Sequence, residues 1–207
     1  ALAGLLDDPV KAVRMAAARH LADLRPGSAP AGERPRLQRA FAEYRAALLH
    51  NADMPESMND LGVFLAAQGD AAGAESAFMK ARQLAPRYLP AMLNLADAWR
   101  ARGRDERGEP LLREALRHYP ESGDVHHALG LLLVRAGRTA ESVEHFRRAS
   151  ELAPDNPRYA LVHALSLAET GRRPEAVRLL ETAVRRFPAE AALREALDGY
   201  RSGAVSR

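Results

Sequence analysis

Residues 55–88, PESMNDLGVFLAAQGDAAGAESAFMKARQLAPRY, carry the pattern on which the fold turns. Displacing the chain against itself by 34 residues aligns Gly69, Gly103, Gly137 and Gly171 in one column. Ala81, Ala115, Ala149 and Ala183 form a second column, and Pro86, Pro120, Pro154 and Pro188 a third. A fourth, Phe78, Leu112, Phe146 and Leu180, is always large and apolar; a fifth, Gly62, Ala96, Gly130 and Ala164, is always small. A fixed period of this length means one supersecondary unit repeated, each burying its apolar face against the next.

Within the quoted stretch, Met58, Leu61 and Leu65, then Ala74, Ala77, Phe78 and Ala81, follow the i, i+3, i+4, i+7 spacing of amphipathic helices. Gly69 stands where a first helix ends on a residue of positive φ, which costs little only for glycine. Pro86 closes the second helix and sets an extended turn into the next unit. Gly62 and Ala74 let the two helices cross closely, and Phe78 wedges against the following pair. The spacing predicts antiparallel helix pairs over 55–86, 89–120, 123–154 and 157–188.

These small, glycine, alanine, aromatic and proline places resemble the tetratricopeptide repeat family. The resemblance covers about two thirds of the chain. It implies an all-α fold, a right-handed solenoid of antiparallel helix pairs. The repeats would occupy 55–88, 89–122, 123–156 and 157–190. Leu65 and Trp99 stand where the family often has tyrosine, and His163 replaces the usual leucine. Gly108-Glu109-Pro110 falls early in the second helix of the second repeat, so that helix is expected to start late or bend.

Outside the regular array, Ala40, Tyr44 and Ala47 give 35–54 the spacing of a second helix, a half unit. A Pro/Gly/Ser loop, 25–34, precedes it. Leu5-Leu6-Asp7-Asp8-Pro9 followed by Val13-Arg14, Ala16-Ala17-Ala18 and Leu21 resembles the second half of a HEAT repeat, a helical remnant over 1–24. Residues 191–207 read as a capping helix and tail. The chain opens at Ala1 without methionine, so it reads as a piece of something longer.

Composition narrows the function. With 47% hydrophobic and 28% charged residues the chain is too apolar for a disordered one. No run approaches the roughly 18 apolar residues of a membrane span, so no membrane insertion is expected. Cysteine is absent, which excludes disulfides, thiolate metal sites and cysteine nucleophiles. The pI of 9.6 accompanies a net charge of only +3, and acids and bases alternate on the same helices, as in Glu141, Glu144, Arg147 and Arg148. That is a solvated face rather than a nucleic-acid stripe.

No phosphate loop, dinucleotide fingerprint, His-Glu-x-x-His or nucleophile elbow occurs, and the glycines sit at helix ends. An enzyme is therefore not expected, and no cofactor. His126 and His127, with His163 one repeat away, are the only metal-ligand candidates. Three or four converging ligands would be needed. His126 falls at a packed place and His127 on the inner face, so packed or groove-lining histidines are the expectation.

The family resemblance implies that first helices line a concave face, where a protein or peptide ligand binds. By helical position this face takes Glu56, Asn59, Asp60 and Val63 from the first repeat and Leu93, Asn94, Asp97 and Arg100 from the second. His127, Leu131, Val134 and Arg135 follow from the third, and Leu161, Val162, Leu165 and Glu169 from the fourth. Its N-terminal part is acidic and amide-rich, its C-terminal part apolar. Four leucines on a solvated face call for a covering partner, unless some pack against the next helix. Asn59 and Asn94 are the leading contact candidates, because an amide both donates to and accepts from an extended backbone. They resemble the asparagines with which some relatives grip chaperone C-terminal carboxylates. The cationic half of that clamp is missing: Val63, Asp124 and Ala128 stand at its places, so a free acidic C-terminus is not the expected ligand.

The expected function is thus a non-catalytic protein–protein interaction scaffold. The alternative is a structural or docking arm of a larger protein. The order of HEAT-like helix, loop, lone helix and four repeats resembles the C-terminal region of bacterial multihaem cytochrome c proteins. That resemblance implies a periplasmic location, with the cytoplasm as alternative, and no covalent haem in this segment, which lacks Cys-x-x-Cys-His.

Overall fold

Gly69, Gly103, Gly137 and Gly171 all adopt positive φ, between 67° and 83°. At each, the chain turns by the same pair of bonds. Asp70 N–H donates to Leu65 O and Gly69 N–H to Ala66 O, and the set recurs at Arg104 and Gly103, Arg138 and Gly137, and Arg172 and Gly171. This is the Schellman closure, which satisfies carbonyls that a helix end leaves unbonded.

The computed structural model describes residues 2–24 and 29–202, so Ala1, positions 25–28 of the predicted loop and positions 203–207 of the predicted tail lie outside it. Among the described residues there are eleven α-helices, a short 3-10 helix and no strand. The chain divides into two compact units, Ala1–Gly108 and Glu109–Arg207.

The first unit holds the 3-10 helix Leu2–Asp7, α1 (Lys11–His20), α2 (Arg34–His50), α3 (Pro55–Ala67), α4 (Ala71–Leu84) and α5 (Leu89–Ala101). The division falls within α6 (Asp105–His118). The second unit holds the remainder of α6, then α7 (Gly123–Arg135), α8 (Thr139–Leu152), α9 (Pro157–Glu169), α10 (Arg173–Arg186) and α11 (Ala191–Ser202). Helices α4, α6, α8 and α10 start at 71, 105, 139 and 173, in step with the sequence period. So α6 does not start late, and the first of the two outcomes expected of Pro110 does not occur. Pro110 lies inside it, on the exposed side, where water can bond the carbonyl that the missing N–H would have taken.

Within each unit, successive helices pack on one another: α2 on α3, α3 on α4 and α4 on α5, then α7 on α8, α8 on α9 and α9 on α10. Phe41 and Tyr44 each make a T-shaped contact with Phe64 at 5.3 and 5.4 Å between centroids, which joins α2 to α3. The last helix, α11, lays Leu193, Leu197 and Tyr200 into the core formed with Ala164, Leu167 and Leu180. The Arg173 guanidinium sits 5.9 Å from the Tyr200 ring centre.

The small and large columns exchange volume. A Cβ added to Gly62 would stand 2.4 Å from Phe78 Cε1, and one on Gly130 would stand 2.6 Å from Phe146 Cε1. Both phenylalanine rings therefore lie directly on a bare helix backbone. Where the small residue is Ala164 the large one is Leu180, both fully buried in one core, and Ala96 likewise shares its repeat with Leu112. Glycine goes with phenylalanine and alanine with leucine, so the summed volume stays nearly constant.

A second device ties one repeat to the next. Buried Glu75 on α4 accepts from Trp99 Nε1 at 2.9 Å, and from Arg102, Arg104 and Arg107 at 2.5 to 3.3 Å. Burial pushes its carboxyl up, but the indole N–H and the three guanidiniums outweigh this and hold it below the usual carboxylate range. One period on, Glu109 takes the Arg138 guanidinium at 2.8 Å, in a closed ring with Arg113 and Glu141. The second device is half-exposed and correspondingly weaker.

Candidate functional site

Pro55, Pro90 and Pro157 lie in the first turns of α3, α5 and α9, where proline costs no hydrogen bond. With the Ser122 cap on α7, they fix the register of the four helices that carry the sixteen predicted groove residues. In the first unit, Glu56, Val63, Asp97 and Arg100 are exposed, Asp60, Leu93 and Asn94 half-buried, and Asn59 buried. In the second, Val134, Arg135, Leu165 and Glu169 are exposed, Leu131, Leu161 and Val162 half-buried, and His127 buried.

Asn59 and His127 therefore do not face solvent. They occupy one register position, two repeats apart, which points from a first helix toward the next first helix and is covered by it. Asn94 Nδ2 donates to Asn59 Oδ1 at 2.8 Å, so Asn59 holds Asn94 in place rather than meeting a ligand itself. In the second unit the partner position is Val162, which has no polar group. His127 stacks on Tyr159 at 4.6 Å between ring centroids, and neither ring nitrogen has a hydrogen-bond partner. Burial, then the Arg158 guanidinium, push it down to about 4, against the opposing pull of Asp124. The Tyr159 hydroxyl donates a hydrogen bond to Asp124 Oδ1, and burial followed by that bond raises its pKa.

The other histidines pair off. His126 Nε2 lies 3.1 Å from Pro120 O, which only accepts, so Nε2 carries the proton and Nδ1 is an acceptor. His145 Nδ1, 3.1 Å away, must then donate to it. His163 Nδ1 lies 3.2 Å from Ser150 Oγ. Burial lowers all three. Among the described residues, no three His, Asp or Glu side chains converge as a metal site requires.

In each unit a cleft opens beside the first helices. Val63, Ala66, Phe78, Asn94 and Asp97 line the first, of about 270 Å³, between α3, α4 and α5. The second, about 340 Å³, lies between α7, α8 and α9 against Leu131, Val134, Phe146, Val162, Leu165 and Glu169. Val134 and Leu165 remain 40% and 38% exposed there, so apolar wall faces water. Sequence reading placed their aliphatic walls on this face but not Phe78 and Phe146, because those come from second helices. Their signal was present in the glycine opposite each ring.

Models of the tetratricopeptide repeat match residues 65–132 and 106–166, and a second such model matches 33–88 and 161–204. Over 102 residues, 49% of this chain, the sequence is 36% identical to the probable biofilm formation methyltransferase WspC of Pseudomonas putida KT2440. That match spans 23% of the relative's length. Among solved structures, a thermophilic tetratricopeptide protein of Thermus thermophilus is similar at TM-score 0.68 and 21% identity, over 95% of this chain and all of that one. YrrB, described as having an unusual peptide-binding site, gives 0.60 at 17% identity over 92% and 93%. MamA of Desulfovibrio magneticus RS-1 gives 0.61 at 17% over 86% and 97%. At these identities the structures speak to fold alone. Among the described residues no helix is long and apolar enough to cross a membrane.

Proposed function

The chain belongs to the tetratricopeptide repeat family, and on that premise we propose that it is a non-catalytic scaffold that binds a peptide or protein segment along its first helices. The observation that supports this most is the second unit's cleft, where Leu131, Val134, Val162 and Leu165 hold apolar surface open to water. Such surface is costly to leave uncovered and marks interaction sites. The first unit adds half-buried Asn94, whose amide donates one N–H to Asn59 and keeps a second donor and an acceptor with which a ligand backbone could bond. The methyltransferase named in the relative is not carried over, since the match spans 23% of that protein.

The test compares the proteins captured from a cell extract by the wild type and by Asn94→Ala/Leu131→Asp, with far-ultraviolet circular dichroism to confirm folding. The wild type should enrich partners that the folded double variant loses. Equal capture by both would overturn the reading. A second reading, an interaction arm within a larger protein, is favoured by the relative in which the matched region is a minor part of the whole. It predicts capture by the parent chain's own remaining segment.

A further inference from the structure

The two clefts are the same place two repeats apart. Val63, Ala66, Phe78, Asn94 and Asp97 correspond in register to Leu131, Val134, Phe146, Val162 and Leu165. The frame is retained, since each has a phenylalanine lying on a glycine, and the lining has changed. In the first cleft an amide and a carboxylate stand at the mouth, and Asp97 already accepts from Arg100 at 2.7 Å. In the second, both positions are aliphatic, and the one charged lining residue is Glu169.

Glu169 is exposed, and among the described residues no guanidinium or ammonium pairs with it. Its charge is felt at Tyr200, whose hydroxyl is pushed up by burial and then by Glu169, against the opposing pull of the Arg173 guanidinium. The second unit's predicted face carries one carboxylate, Glu169, and one guanidinium, Arg135, and only Glu169 lines the cleft. At about 340 Å³ the second cleft is at the small end of ligand sites. It suits one large side chain rather than a whole helix.

Resting on the scaffold reading above, we infer that the second unit's cleft takes one bulky aliphatic or aromatic side chain of the partner, and that a lysine or arginine beside that anchor pairs with Glu169. The apolar anchor supplies affinity through the area it removes from water. The basic neighbour supplies specificity, because an acidic one would face an unpaired carboxylate.

The probe is a random peptide library displayed on phage, selected on the full chain and in parallel on Leu165→Asp and Glu169→Lys. Both positions are solvent-exposed, so the folds should persist, which circular dichroism checks. Wild-type selection should enrich a bulky apolar residue next to Lys or Arg. The enriched peptide, synthesised, should lose about tenfold or more in affinity on Leu165→Asp, and selection on Glu169→Lys should replace the basic neighbour with an acidic one. Peptides that depend on Asn94 yet ignore Leu165 and Glu169 would overturn this inference and leave the scaffold reading standing. No enrichment above blank support would overturn both.

Discussion

Replacing His127 by leucine should remove a large part of the protein's acid sensitivity. Leucine already holds the same register position as Leu93 and Leu161, so the repeat supplies its own precedent for the shape. The folded-state value of about 4 lies below the ordinary 6.5, so the unfolded chain binds this proton more readily. Its stabilising effect is therefore complete above about pH 6.5 and is lost as pH falls toward about 4. The full depression corresponds to about 3 kcal/mol. Near pH 5 the unfolded imidazole is almost wholly charged and the folded one roughly a tenth charged, so about 2 kcal/mol has gone. His126, His145 and His163 are also lowered by burial and act in the same direction, so the wild type should lose more than this one share. Glu75 and Glu109, both held low, keep their contribution above the ordinary carboxylate range and lose it only at lower pH, outside the window. The assay is urea unfolding by far-ultraviolet circular dichroism near pH 7 and near pH 5. Hydrogen exchange across α7 to α9 should place the opening, because a repeat array can unfold in parts. His127→Leu should fall by about 2 kcal/mol less than the wild type between the two pH values, and equal falls would refute the reasoning.

Glu75→Ala leaves the buried Trp99 N–H unbonded and three guanidiniums without their carboxylate; about 2 kcal/mol should be lost in urea unfolding, tempered by the arginines' partial exposure. Arg138→Ala, in the half-exposed ring with Glu109, should cost less than Glu75→Ala by the same measurement; a larger loss than at Glu75 would mean the two devices have been ranked wrongly. Gly62→Ala drives a methyl into the Phe78 ring and should cost about 1–3 kcal/mol. Adding Phe78→Leu recreates the alanine–leucine pairing of Ala164 and Leu180 and should recover part of it, read as a coupling energy in a double-mutant cycle. Strict additivity would show that the two columns do not exchange volume.

The helix pairs were legible because their determinants are local. Gly69 and its three counterparts end helices by a backbone conformation that glycine alone adopts cheaply, and the prolines stop second helices whatever lies nearby. Pro110 argued for a late start or a bend; the start is not late, because the carbonyl it leaves unpaired is on the exposed side of α6 and costs little there. The exposed aliphatic walls were also legible, since Val134 and Leu165 follow from helical phase.

By itself, then, the sequence determined the period, the helix boundaries apart from the start of α6, and the helical phase of the candidate residues, because each depends on spacing along one chain. The tertiary structure alone decided which of those residues are open. Asn59 and His127 share one phase and both are covered, yet one is bonded and the other is not, because the facing residue is Asn94 in one unit and Val162 in the other. Tertiary contact likewise brought Phe78 and Phe146 from second helices to floor the clefts, and gathered Trp99, Arg102, Arg104 and Arg107 about Glu75. Burial and pairing depend on what the neighbouring repeat presents, and a periodic sequence fixes where that neighbour stands without fixing its chemistry.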